Sequence, residues 1–431
     1  MNVLIDLVYV LALIAISPVA IYRMLRHNRY RAGWRNRFGH ITRKQPGKKC
    51  IWIHAVSVGE VNATTTLIKE LEKKFPDYEI VVSTTTDTGF ARANTLFAKQ
   101  LSVFYFPMDF TPTMRRAFAN IRPSLILLME LEVWPNLVSI AHQQKIPVVV
   151  VNGRISDNSF PKYKLFRPVV KRIFKKTALI LAQTKEYAER FIRLGADENN
   201  VIVSGSLKYD TAQIADKVEG SDQLAAKLNI KQNDRLFVAG QTGPDEEEII
   251  LEVYKKIIAQ AQFRDVRLAI VPRKPERFDE VAQLIEMAPL PLIRYSKIKN
   301  EPNNPKIHSD TVILGDTMGD LRKFYSLAST IFVGRSLVPM GGSDMAEAAA
   351  LGKCTIFGPH TFNFNQTVDE LLQNNGAIQV KNEQELFEAI QKCLEDSRFA
   401  QQIAQNGQNV IRKNQGATQK TLEQIKLLLK K

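Results

Sequence analysis

Short runs of Val, Ile and Leu alternate along this chain with longer segments of helical periodicity. That alternation predicts βαβ units and parallel sheets. In the first half the runs predict strands at Ile51–Ser57, Glu79–Ser83, Ser102–Pro107, Leu125–Met129, Pro147–Val151, Ala178–Ala182 and Val201–Ser204. In the second half they predict strands at Leu236–Gly240, Arg267–Val271, Pro291–Tyr295, Thr311–Leu314, Thr330–Val333 and Thr355–Phe357. The polar segment Asp210–Asp234 has no strand character and marks a domain junction. Two Rossmann-like α/β domains facing a cleft are therefore expected, at residues 23–215 and 216–431, the second ending in an amphipathic basic helix, Gln419–Lys431.

One apolar run fits neither period. Val3–Tyr22 is about the ~20 residues needed to cross a hydrocarbon core, with Asp6 as its one charge, placed near the end where it can reach the interface. Arg23, Arg26, Arg29, Arg31, Arg35 and Arg37 follow, interleaved with Tyr22, Tyr30 and Trp34. Basic flanks stay cytoplasmic and aromatic rings favour headgroups. Residues 1–22 are thus expected to form a transmembrane helix, with the rest of the chain on the cytoplasmic side. A cleaved signal peptide would carry its positive charge before the run and a small-residue cleavage site after it. A helix buried in the fold is the other alternative.

Composition narrows the picture. At 431 residues the chain suits two domains, and 45% apolar content is ample for real cores. Cys50, Cys354 and Cys393 match no metal spacing and fit free thiols in a reducing compartment. The net charge of +15 suits an anionic partner. No zinc finger, RNA-binding sheet motif or basic heptad accompanies it, so nucleic acid is not favoured.

Candidate chemistry lies where strands run into helices, the position at which α/β folds bind ligands. In Ser57-Val-Gly-Glu60 the glycine permits a sharp turn and Glu60 opens a helix, whose dipole favours an ionised, proton-accepting carboxylate. Simple helix capping is the alternative. Met129-Glu-Leu-Glu-Val-Trp-Pro-Asn136 carries two acids past a buried strand, of which only one, Glu130 or Glu132, can easily face the cleft; a solvated loop is the alternative. Arg273 ends a strand and can take a phosphate or carboxylate bidentately, or form a surface salt bridge. Gly315-Asp-Thr-Met-Gly319 and Gly341-Gly-Ser-Asp-Met-Ala-Glu347 open helices whose N–H groups can hold a phosphate, and Glu347 can accept from ribose hydroxyls. Lys164, Arg167, Lys171 and Lys175 form a basic helical stripe beside Leu165, Phe166, Val169, Ile173 and Phe174, interrupted by Pro168. It suits phospholipid headgroups or a phosphorylated lipid, or else a solvated face over a core-packed helix.

Together these motifs resemble the 3-deoxy-D-manno-octulosonic acid (Kdo) transferases of lipopolysaccharide assembly over nearly the full length. The resemblance is carried by Trp52-Ile-His-Ala-Val-Ser-Val-Gly-Glu60, Glu130-Leu-Glu-Val-Trp-Pro-Asn136, Asn152-Gly-Arg-Ile-Ser156, Ser204-Gly-Ser-Leu-Lys208, Val271-Pro-Arg273, Gly315-Asp-Thr-Met-Gly319, Glu347-Ala-Ala-Ala350 and Gly358-Pro-His-Thr-Phe-Asn-Phe364. It implies a GT-B type glycosyltransferase that inverts, uses CMP-Kdo as donor and the lipid A precursor lipid IVA as acceptor, works at the inner membrane and needs no metal or other cofactor. Glu60 is implied as general base and Glu130 as a second catalytic carboxylate. Lys208, Arg273, Met318, Gly341, Gly342, Ser343, Asp344 and Glu347 are implied around the donor; the basic stripe of Lys164, Arg167, Lys171 and Lys175 is expected, from its own spacing, at the acceptor or membrane.

The chain departs from the family pattern in three places. Ser343-Asp344 replace a usual His-Asn, Gly334-Arg335-Ser336 replaces Gly-Gly-Ser, and a His expected after the first strand of the second domain is replaced within Gln241-Thr-Gly-Pro244. These departures leave room for a different donor or acceptor. A catalytically silent, membrane-bound nucleotide-binding protein is the other reading, against which the retained Glu60 speaks.

Overall fold

Strands built mostly of Val, Ile and Leu have no polar side to turn to water, so they settle inside sheets covered on both faces. Every residue is buried in β4 (Leu125–Met129), β5 (Val148–Gly153) and β8 (Leu236–Thr242). The structure, a computed structural model, describes residues 2–27, 32–215, 217–231, 233–301, 307–308 and 310–430. It divides into two compact units, residues 1–211 with 414–431, and residues 212–413.

The sheet of the first unit contains β1 (Lys49–His54), β2 (Tyr78–Thr84), β3 (Ser102–Tyr105), β4, β5, β6 (Leu179–Ala182) and β7 (Val201–Val203), all paired in parallel in the order β3-β2-β1-β4-β5-β6-β7. The order reverses between β1 and β4, so the carboxyl ends of those two strands flank a topological switch point. The second unit repeats the plan with β8, β9 (Arg267–Pro272), β10 (Leu292–Arg294), β11 (Val312–Leu314), β12 (Thr330–Val333), β13 (Cys354–Phe357) and β14 (Ile378–Gln379), in the order β10-β11-β9-β8-β12-β13-β14. Its switch point lies between β8 and β12.

All the expected strands form. The added β14 is two residues long, too short to show a period. β1 stops at His54 rather than Ser57, because Ser57 is already the N-cap of helix Val58–Lys74.

The domain limits differ from expectation at the tail. Helix Ala417–Leu429 belongs to the first unit, not the second, and the junction follows Thr211. The reason is local. Gly416 starts the helix in a left-handed conformation and no side chain of its own segment caps it. Asp210 supplies the cap, accepting from Gly416 N–H at 2.7 Å and Thr418 N–H at 2.5 Å. Ala417, Leu422 and Ile425 then bury against Leu67, Leu71 and Leu207.

The expected anchor forms one backbone helix, Asn2–His27, several of whose side chains lie outside the described residues. Among the described residues no helix is long and apolar enough to cross a membrane. Asp6 does not sit at an interface as expected. It turns onto the first unit, accepting from Thr111 N–H at 3.0 Å and Asn136 Nδ2 at 2.8 Å, while Tyr9 donates to Asp109 Oδ2 at 2.9 Å. Leu7, Val8, Leu11 and Ile14 stay exposed. Arg29, Tyr30 and Arg31 of the basic flank lie outside the described residues.

The three cysteines are free and buried. Though distant in sequence, Cys354 and Cys393 place their sulfurs 3.4 Å apart.

Replacing Asp210 by Ala leaves two helix-start donors without an acceptor. Loss of a cap costs about 1–2 kcal/mol, so chemical denaturation should show a drop of that size for Asp210→Ala, with faster amide exchange confined to residues 414–431. Unchanged exchange there would remove Asp210 from the tail's attachment.

Candidate active site

Ser57 and Glu60 form a capping box, in which the residue before the helix and the third residue within it satisfy each other. Ser57 Oγ accepts from Glu60 N–H at 3.3 Å and donates to Glu60 Oε1 at 2.9 Å, while Val56 N–H donates to Glu60 Oε2 at 2.9 Å. The capping alternative is thus realised, but it does not consume the carboxylate, since each oxygen has a second lone pair. Capping holds it still beside the β1 end of the switch point. Burial raises its pKa above the ordinary carboxyl range, the charge of Glu130 adds to this, and the bonds from Val56 and Ser57 work against it.

Across the switch point, Met129 ends β4 and Glu130 takes a left-handed conformation, φ 53°. Its N–H is held by Val151 O at 2.9 Å, and Glu132 N–H closes the turn onto Met129 O at 3.1 Å. The turn brings both acids toward Glu60, where only one had been expected to face the site. Burial pushes the Glu132 carboxyl up to about 7, and the charges of Glu60 and Glu130 add to it. Tyr163 is raised by burial and by Glu132. From sequence Glu132 was only the alternative to Glu130. Its alternation with Glu130 was visible, but its burial was not.

Lys208 also stands in the first unit, with Nζ 4.0 Å from Glu130 Oε1. Asn152 at the end of β5 positions it: left-handed at φ 57°, Asn152 accepts from Leu207 N–H through Oδ1 at 3.0 Å. Asn152 Nδ2 is buried with no hydrogen-bond partner. Nearby, His54 is stacked on Phe106 at 3.9 Å, and burial pushes its pKa down to about 3. A neutral, buried imidazole of this kind packs the sheet end.

The basic stripe folds as two short helices, Phe160–Leu165 and Arg167–Phe174, broken where Pro168 enters the second. Lys164, Arg167, Lys171 and Lys175 are all exposed. Arg167 Nε donates to Arg193 O at 3.0 Å, and the Lys171 stem lies over Gly195. The apolar set divides: Ile173 and Phe174 are buried, whereas Leu165, Phe166 and Val169 are exposed.

In the second unit Arg273 follows β9 with an exposed side chain, its N–H held by Thr242 O at 3.1 Å. Met318 is 71% exposed at the tip of a loop that is tied down from below. Asp316 there accepts from Arg294 Nε at 2.7 Å and Ser296 N–H at 2.7 Å, and Asp320 accepts from Lys299 Nζ and Thr317 Oγ1, each at 2.6 Å. Gly341 and Gly342 have φ 88° and 80°, and a Cβ on Gly341 would fall 2.2 Å from Asn363 Nδ2. Gln241, left-handed at φ 57°, ties three residues of this site together: Ser343 Oγ donates to its carbonyl at 3.3 Å, Asp344 N–H to its Oε1 at 3.3 Å, and its Nε2 to Glu347 at 3.4 Å.

One expectation needs correcting. The helices after the two glycine loops, Leu321–Leu327 and Met345–Ala350, are only seven and six residues long. Asp344 is the N-cap of the second and takes Ala346 N–H at 3.0 Å for itself. That donor is not available to a phosphate, and the Asp344 carboxylate is turned onto its own helix. Burial pushes the Glu347 carboxyl up to about 7; Asp344 adds to this, while Arg322 and Arg273 oppose it.

Glu246 is the member no local signal marked, since Asp245-Glu-Glu-Glu248 reads as the acidic first turn of a helix. It is fully buried. Its carboxylate accepts from Gly243 N–H at 3.0 Å, Ser336 N–H at 2.7 Å and Leu337 N–H at 2.9 Å, and also from Arg335 N–H. Both loops at the second unit's switch point are thereby fastened to one carboxylate. Among the described residues no group of three or more His, Cys, Asp or Glu side chains is placed to hold a metal ion.

A family model described as 3-deoxy-D-manno-octulosonic-acid transferase (kdotransferase) matches residues 32–211. The chain is 32% identical over 410 residues to the 3-deoxy-D-manno-octulosonic acid transferase of Haemophilus influenzae, covering 94% of this chain and 93% of that one. It is 30% identical to the protein of that name from Bordetella pertussis, covering 97% and 98%. Among solved structures, a glycosyltransferase from Rickettsia africae aligns with TM-score 0.55 at 15% identity, over 89% of this chain and 99% of its own. S. aureus MnaA with UDP aligns with TM-score 0.54 at 16% identity, over 89% and 97%. Those two likenesses are of fold alone and place the two parallel-sheet units among GT-B-like proteins. On the extent and level of its sequence identity, the chain belongs to the 3-deoxy-D-manno-octulosonic acid transferase family of glycosyltransferases.

Proposed function

We propose that this chain transfers Kdo from CMP-Kdo to a lipid A precursor, lipid IVA, in lipopolysaccharide core biosynthesis, with inversion at the anomeric carbon. The observation that carries the mechanism is the Glu60 carboxylate, held by two hydrogen bonds at a switch point and raised in pKa by burial. A base works best when its pKa approaches the working pH. Glu60 takes the proton from the acceptor's primary hydroxyl. The oxygen forms its bond to the anomeric carbon as the bond from that carbon to the phosphate oxygen breaks, and CMP leaves with the electron pair. One displacement inverts the centre. Glu130, paired with Lys208, orients the acceptor hydroxyl. On the donor, Arg273 balances the growing phosphate charge, Gly341, Gly342 and Ser343 allow close backbone approach, and Glu347 holds ribose hydroxyls, with Met318 and the Asp344 cap beside them. No metal or other cofactor enters this scheme.

One observation favours a second assignment of the base. The Glu132 carboxyl, at about 7, matches neutral pH and shares the same end of the sheet.

We propose that the chain is attached to the inner membrane through the exposed apolar side of helix Asn2–His27, which carries Leu7, Val8, Leu11 and Ile14, with both units cytoplasmic. The exposed Leu165, Phe166 and Val169 beside Lys164, Arg167, Lys171 and Lys175 suit an anionic lipid surface.

Three outcomes are expected. Glu60→Gln should lower kcat by about 10²–10⁴-fold while the donor KM changes little, in an assay reading product mass with CMP-Kdo and tetraacyl lipid A precursor. If Glu132→Gln shows that loss and Glu60→Gln does not, the base is Glu132. Glu132→Gln should also change stability with pH. Burial holds the proton on Glu132 from the ordinary 4.5 up to about 7, so the wild type loses stability across that range as the unfolded chain ionises first. Gln has no such loss, and the advantage of the variant in urea unfolding should open between pH 4.5 and 7 and then level off. A pH-independent difference would show that Glu132 is not raised. Deleting residues 1–22 should move the protein from the floating to the soluble fraction in liposome flotation at high salt. Persistent flotation would shift membrane attachment to the basic stripe.

A further inference from the structure

Arg335 is the first side chain past β12, at the second unit's switch point, and the donor scheme above gives it no part. Its backbone is left-handed at φ 59°, a conformation unfavourable for a non-glycine residue. The surroundings impose it. Glu246 holds Arg335 N–H from one side, and Arg335 O accepts from Gly342 N–H at 2.7 Å on the other. The same residue thus closes the glycine loop.

The side chain is placed as firmly as the backbone. A Cβ on Gly243 would fall 3.1 Å from Arg335 Cγ and 2.7 Å from Met340 Sδ. The arginine stem therefore fills the space that any side chain at 243 would need. The guanidinium has few partners: Nη2 lies 3.5 Å from Met340 O, Nε is buried with no hydrogen-bond partner, and among the described residues no carboxylate pairs with it. A guanidinium offers five donors, and a buried one left unpaired is costly. A held, strained and under-partnered arginine at a switch point is poised for an anionic ligand.

We infer that Arg335 binds the carboxylate of the donor sugar, an assignment that rests on the Kdo-transfer reading above. The donor carries two anionic groups, one phosphate and one carboxylate. Two arginines stand past strand ends on opposite sides of β8, Arg273 after β9 and Arg335 after β12, while Arg322, whose charge also acts on Glu347, has its guanidinium engaged by Gln213. Arg273 shares its surroundings with Glu347 and Tyr325, which suits the nucleotide. Arg335 is left for the sugar, and a planar fork matches a carboxylate bidentately.

The test compares wild type, Arg335→Gly and Arg335→Lys in the full-length protein. Glycine adopts φ 59° without strain, so Arg335→Gly should melt at or above the wild-type temperature while lacking the fork. Two affinities are read: the KM for CMP-Kdo, and calorimetric binding of CMP, which has the phosphate but no sugar carboxylate. For Arg335→Gly the KM should rise about tenfold to a hundredfold, as loss of a charge-assisted contact implies, with CMP binding within twofold. Arg335→Lys should fall between. A parallel rise in both constants would put the guanidinium on the phosphate and overturn the assignment, and no change in either would make Arg335 merely structural. A wild-type protein that binds CMP but leaves CMP-Kdo intact would instead overturn the donor reading, and this assignment with it.

Discussion

A parallel sheet buried on both faces leaves its side chains no route to a substrate except past the carboxyl ends of its strands. Both units of this chain work under that constraint. Their strands are apolar almost without a break, and every group assigned to chemistry stands on a loop just beyond a strand or on the helix that follows. In the first unit Glu60 follows β1, Glu130 and Glu132 follow β4, and Asn152 at the end of β5 reaches across to the turn that bears Lys208. The second unit places Gln241, Arg273 and Arg335 at the ends of β8, β9 and β12. The switch points lie where adjacent loops turn to opposite faces, and the densest polar groups collect there.

The backbone at these loop starts is strained, and the strain has supports. Glu130, Asn152, Gln241 and Arg335 all have φ between 53° and 59°, without a glycine's freedom. Such residues persist only where their surroundings over-determine them. Val151 holds Glu130, Gln183 holds the Asn152 carbonyl at 2.9 Å, and Glu246 holds Arg335. Four donors on one buried carboxylate make Glu246 the firmest of these, for a buried acid is tolerated when its lone pairs are filled. The capping box at Glu60 follows the same rule: one side chain serves the fold and the reaction together, because holding a carboxylate still is part of making it a base.

Much of this was legible from short-range pattern. Strand positions follow from runs of β-branched residues, and a Ser-x-x-Glu spacing is enough to foresee a helix start. Glu60, Glu130, Arg273 and Glu347 were all legible as candidates because each follows a strand or opens a helix. Glu132 was legible only as the alternative to Glu130, since nothing local separates a half-buried carboxylate from a solvated one. Glu246 escaped because an acidic first turn has an ordinary explanation in the helix dipole. Asp344 was read only as one of the residues around the donor, and its role as the cap of its own helix, accepting from Ala346 N–H, was not foreseen.

The sequence by itself determined the local states: which segments are strands and helices, which loops carry glycine, and which motifs place the chain in its family. Those properties depend on residues a few positions apart, where side-chain period and turn chemistry decide. Only the tertiary structure decided which distant residues share an environment. Asp210 draws the last helix into the first unit. Burial, with Glu60 and Glu130 nearby adding to it, pushes Glu132 to about 7. Arg335 is bent over Gly243 by a glutamate some ninety residues away. Burial and electrostatic coupling are sums over neighbours in space, and no spacing along the chain encodes them.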